Sequence, residues 1–100
     1  MNSNFTGTVR VRKLYHYLLT INIDIFSKIE SAEWTDIGYF NNAPGWLNCL
    51  GYLPITSTTT GNYCEIFQIY GNNNVMYARI QRCKSNITYR GFAVFYHYID

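Results

Sequence analysis

Leu19, Ile21, Ile23 and Ile25 alternate with Thr20, Asn22 and Asp24. Side chains on a strand point to opposite faces in turn, so this run gives one apolar and one polar face only as a β-strand. The rest of the chain has the same grain. Tyr63–Tyr70, Val75–Gln81 and Ile87–Tyr98 are rich in β-branched and aromatic residues, and Gly71-Asn-Asn-Asn74 and Cys83-Lys-Ser-Asn86 separate them. Runs of that kind between turn-formers predict an antiparallel meander, with the first two closed as a hairpin at Gly71–Asn74. Met76, Ala78 and Ile80 fall on one face of the middle strand, and Val75, Tyr77, Arg79 and Gln81 on its wet face. In the last strand Phe92, Val94, Tyr96 and Tyr98 alternate with Ala93, Phe95, His97 and Ile99. Both its faces are apolar, which predicts cover on both sides, by the core and by a second sheet or subunit.

Upstream, Gly7–Lys13 reads as a half-exposed strand after a loose lead-in at Met1–Thr6. The chain must reverse near Tyr15–Tyr17 if this strand pairs with the isoleucine run. Ser27–Glu30 offers the one candidate helical turn, and Trp34–Phe40 returns to strand composition. Asn41-Asn-Ala-Pro-Gly-Trp46 is a loop signal. Cys49–Ile55 holds a short strand that Pro54 limits to an edge or a strand end. The expected class is all-β, a small antiparallel β-sandwich or barrel in a single domain. Its parts are a lead-in (1–6), an N-terminal hairpin and third strand (7–40), a loop region (41–61) and a C-terminal meander (62–100).

With 14% charged residues against 48% hydrophobic, the surface must be built from Asn, Thr, Ser and Tyr. Such a surface suits sugar binding or close subunit packing. A net charge of +2 with scattered arginines offers no basic stripe for nucleic acid. Cys49, Cys64 and Cys83 are an odd number with no Cys-x-x-Cys pair, so reduced thiols are expected and no metal or cofactor is indicated. No run is long and apolar enough to span a bilayer as a helix, and the first residues lack the basic and apolar regions of a secretory leader.

Asn41, Asn42 and Trp46, helped by Tyr52, are the candidate saccharide site. An indole offers a flat apolar face to a sugar ring, and each Asn amide supplies a donor and an acceptor for hydroxyls. The same loop tryptophan also suits a plug at a barrel end or a subunit contact. Trp34, at a strand start, reads as core. Tyr15-His16-Tyr17 and Tyr96-His97-Tyr98 suit cross-strand or subunit packing, with a recognition surface as the alternative. Glu30, Glu33 and Asp36 are the nearest thing to a carboxylate cluster and read as solvated loop charges rather than a glycosidase pair. No catalytic constellation is indicated, so an enzyme is not expected.

The order Gly7-Thr-Val-Arg-Val-Arg-Lys13, an Ile-rich strand, Trp34-Thr-Asp-Ile-Gly38, Pro44-Gly-Trp46, Gly51-Tyr-Leu-Pro54, a Gly-Asn hairpin and an aromatic closing strand resembles the C-terminal head domains of bacteriophage tail fibres. The Gly-Tyr-Leu-Pro segment runs in inverted order relative to that family. The resemblance implies a homotrimeric receptor-binding head at the tail tip of a virion that attaches to host cell-surface saccharides. The alternatives are a trimerisation module of a fibre and a stand-alone small lectin.

Overall fold

The computed structural model describes residues 1–15, 18–40, 50–58, 63–72 and 75–96. Among them are seven strands: β1 (Phe5–Tyr15), β2 (Leu18–Ser27), β3 (Thr35–Phe40), β4 (Leu50–Ser57), β5 (Cys64–Asn72), β6 (Val75–Ile80) and β7 (Ile87–Tyr96). They form one antiparallel sheet in the order β1-β2-β7-β4-β5-β6-β3, curled into a nearly closed barrel. No helix occurs among the described residues, and therefore none long and apolar enough to cross a membrane.

The alternating runs do what their period requires. Ile21, Ile23 and Ile25 of β2 are buried, while Asn22 and Asp24 are exposed. Leu53 and Ile55 of β4, Phe67 and Ile69 of β5, Ala78 and Ile80 of β6 and Tyr89 of β7 meet them in one core. Burying one such aliphatic side chain stabilises the fold by about 1.5–3 kcal/mol, so this dry interior dominates the energetics. The first reversal lies between Tyr15 and Leu18, which face each other across the β1–β2 ladder. The β5–β6 hairpin forms as its turn residues predict, with Asn72 opposite Val75.

Four expectations are corrected. The C-terminal strands are not a meander: β6 pairs with β5 and β3, whereas β7 crosses to lie between β2 and β4. Long-range pairing, invisible to local turn chemistry, sets that order. Ser27–Glu30 is no helical turn, because β2 runs to Ser27 and its hydroxyl then accepts from the Ile29 amide in a local bend. The lead-in is not loose. The Asn2 amide donates to the Ile37 carbonyl at 2.6 Å and its side chain to the Asp36 carbonyl at 3.2 Å, and Phe5 is buried. This contact brings the start of β1 to the β3 edge. It passes so close to Gly38, at the β3 bulge with φ +153°, that a Cβ there would sit 2.9 Å from Met1 Cα.

Pro54 is the fourth. It lies inside an eight-residue strand that has neighbours on both sides. The β4–β7 ladder, however, is confined to Thr56–Arg90 and Ser57–Tyr89. Beyond it no β4–β7 pairing is formed, so the missing proline N–H removes no ladder bond on that flank. There β7 approaches through Gly91, where a Cβ would meet Ile55 Cγ2 at 2.6 Å and the Pro54 carbonyl at 3.0 Å.

Tyr89 is fully buried, and its hydroxyl accepts the Lys84 amide N–H at 2.9 Å. Burial pushes its phenol pKa above 10.0; the Lys84 bond opposes this, and nearby Glu65, Cys83 and Tyr63 add to it. A pKa raised on folding means that the neutral phenol contributes stability in full below about 10, and that this is lost as pH climbs through the folded value. Urea unfolding midpoints should therefore drop in strongly alkaline buffer. Tyr89→Phe should flatten that drop while costing about 1 kcal/mol at neutral pH, because the Lys84 amide loses its acceptor. An equally steep alkaline loss in the variant would show that Tyr89 is not the group responsible.

Candidate functional site

Packing Phe67, Ile69, Ala78 and Ile80 inward turns the intervening residues of β5 and β6 outward. Cross-strand register then aligns them. Tyr52 of β4, Gln68 of β5, Arg79 of β6 and Asp36 of β3 occupy one rung, and Tyr70, Tyr77 and Tyr39 the next. Trp34, just before β3, lies over this outer face: the Arg79 guanidinium carbon is 4.6 Å from the centre of its ring. The same guanidinium carbon is 5.8 Å from the centre of the Tyr70 ring. Tyr70 stacks on Tyr77 at 5.2 Å and 16°, and Tyr77 leans on Tyr39 at 6.3 Å. Trp34 meets Tyr52 at 6.5 Å and 58°, so the two rings form an angled wall.

Gln68 ties the rung together. It faces outward yet is only 3% exposed. Its Oε1 accepts a short hydrogen bond from Arg79 Nε, and its Nε2 donates to the Tyr52 hydroxyl at 3.1 Å. The orientation is forced. Arginine is only a donor, so the amide oxygen must face Arg79 and the NH₂ must face Tyr52. The Tyr52 oxygen is thereby an acceptor within the protein, and its own O–H proton is left to point at solvent or a ligand. Arg79 has spent Nε on Gln68 and keeps its terminal nitrogens beside the Trp34–Tyr52 wall.

The site thus combines exposed apolar ring faces (Tyr52 is 54% exposed and Trp34 39%) with donors held in place by a buried amide. Such an arrangement stacks a flat apolar surface and hydrogen-bonds the acceptors at its rim.

Of the sequence-derived site residues, Tyr52 is on this surface. Asn41, Asn42 and Trp46 lie outside the described residues. His16, Tyr17, His97 and Tyr98 also lie outside the described residues. Trp34 is not core, which corrects its reading: it precedes the strand and turns outward onto Arg79. Arg79, Gln68, Tyr70, Tyr77 and Tyr39 were missed as a group. The wet-face assignment of Tyr77 and Arg79 was available from their alternation, but their neighbours depend on register between strands.

Glu30, Glu33 and Asp36 are exposed; Asp36 is the cross-strand neighbour of Arg79, and Glu30 lies 3.8 Å from Lys84. At the opposite end of the sheet a depression of about 420 Å³ is lined by residues including Glu30, Glu65, Arg82, Cys83 and Lys84. Its carboxylates already hold cations, Glu65 with Arg82 at 3.3 Å and Glu30 with Lys84. Cys64 and Cys83 are free, the latter buried with its thiol 3.4 Å from the Ile29 carbonyl. Among the described residues no three His, Cys, Asp or Glu side chains are grouped to hold a metal.

No protein family, curated protein or solved structure matches this chain.

The Gln68 bridge makes a measurable contribution to stability. Gln68→Ala removes the acceptor for Arg79 Nε and the donor to Tyr52, and opens space beneath the rings. It should lower the unfolding free energy by about 1–3 kcal/mol in urea titrations. Stability within error of the wild type would mean that the bridge does not hold the rung.

Proposed function

We propose that this domain is a non-catalytic saccharide-recognition module and that it works as the receptor-binding head of a phage tail fibre, attaching to host cell-surface glycans. The observation that carries the saccharide reading is the Trp34–Tyr52 wall with donors fixed by Gln68 at its foot. Sugars present apolar C–H faces ringed by hydroxyls, and the amphipathic rings of Trp and Tyr suit both parts. The fibre setting rests on the sequence resemblance. Single sites of this kind bind near ~1 mM, about −4 kcal/mol, and repetition on one particle raises avidity by about 10²–10⁴.

One observation favours assembly as a second role. On the outer face of β7, Phe92 and Val94 are 60% and 51% exposed, beside the Arg90–Asp24 ion pair. Large apolar side chains grouped on an open sheet face mark a contact surface, and a homotrimer formed there would give the last strand the second cover that its pattern predicts.

Trp34→Ala should reduce glycan binding at least about tenfold on a glycan array, with the melting temperature nearly unchanged because the ring is outside the core. A folded variant that binds as the wild type does would rule out this wall as the site. For assembly, the wild-type domain is expected to sediment as a trimer at micromolar concentration and Phe92→Asp as a monomer; a monomeric wild type refutes the second role.

A further inference from the structure

The rung beneath the Trp34–Tyr52 wall is polarised, and this bears on what kind of sugar it takes. Arg79 is a permanent cation. Among the described residues no carboxylate pairs with it, although Asp36 is its cross-strand neighbour. Instead Nε donates to Gln68, and the guanidinium carbon lies 4.6 Å from the centre of the Trp34 ring and 5.8 Å from that of Tyr70. Asp36 is exposed. Two rings and an amide therefore fix the cation while leaving its terminal N–H groups without a protein acceptor among the described residues. The Tyr52 hydroxyl, already accepting from Gln68 Nε2, has a proton to donate on the same side.

Arg79 and Tyr52 thus both offer donors on this side of the rung, the terminal N–H groups of the guanidinium and the phenol O–H, while the Asp36 carboxylate lies beyond Arg79 on β3. A neutral hydroxyl needs a donor and an acceptor to be fully satisfied, whereas a carboxylate is acceptor-only and matches a guanidinium in a forked pair. We infer that the site selects acidic saccharides, with the carboxylate of a uronic or sialic acid residue seated on Arg79 and Tyr52 and the sugar ring against the Trp34 indole. This inference rests on the saccharide reading above and specifies its ligand class. A phosphate-substituted sugar presents related chemistry, because a guanidinium fork also pairs with phosphate, and it forms a separate arm of the test.

The test is an amide-resolved NMR titration of the wild-type domain with methyl glycosides of glucuronic, galacturonic and N-acetylneuraminic acid. Each is set against its carboxyl-reduced counterpart, with methyl glucoside 6-phosphate as a further arm. At least one acid should bind about tenfold or more tightly than its reduced partner, shifting amides of residues 34, 52, 68 and 79. Raising salt from about 0.1 M to about 1 M, where the Debye length falls from about 10 Å to about 3 Å, should weaken the acid and leave the reduced sugar unchanged. Arg79→Gln should abolish the preference for the acid while retaining weak binding of the reduced sugar. Tyr52→Phe should narrow the preference without removing the ring.

Equal binding of acid and reduced sugar, or preference for the phosphate, overturns the carboxylate assignment and leaves saccharide recognition standing. Absence of binding by every sugar to the folded wild type overturns both. If Arg79→Gln does not fold, the salt dependence and acid preference of the wild type still decide between these outcomes.

Discussion

The ladder between β2 and β7 holds the two parts of the sheet together. It runs through ten consecutive pairs, from Leu18 opposite Tyr96 to Ser27 opposite Ile87, joining residues near the start of the chain to residues near its end. One face of β2 is isoleucine, so a slip of one residue would turn Ile21, Ile23 and Ile25 to solvent and bring Asn22 and Asp24 into the core. The register is therefore set by burial. On its other flank β7 pairs with β4, and the β4–β5–β6–β3 array follows outward from it.

That array builds the candidate site on its outside as a consequence of its inside. Ile69 and Ala78 are cross-strand partners in the core; the adjacent pairs, Gln68–Arg79 and Tyr70–Tyr77, must then face out together. Burial of Gln68 on an outward face is the unusual feature. A buried amide without partners is costly, and here both ends are used, by Arg79 and by Tyr52. The network fixes the direction of its own donors, so a ligand meets groups that need little reordering.

The barrel also shows how local irregularity permits closure. The Gly38 bulge admits the N-terminal segment to the β3 edge, and Gly91 admits β7 against Ile55 where the β4 ladder has ended. The exposed row of Phe92 and Val94 lies on the outer face of β7, separate from the Trp34–Tyr52 wall on the other strands. Recognition and assembly can thus occupy different strands of one sheet.

The all-β class, the inward faces of β2 and β6 and the β5–β6 hairpin are legible in the residues alone, because period-two alternation and turn-forming residues act over a few positions. The same alternation puts Tyr77 and Arg79 on a wet face. The tertiary structure alone decided that β7 lies between β2 and β4, that Pro54 can sit within a strand, that the first residues are tied to β3, and that Trp34 covers Arg79 instead of entering the core. Each of these depends on which distant segments become neighbours. Pairing between strands is settled by the total apolar area buried and the register that buries it, a property of the whole sheet that no single stretch of residues carries.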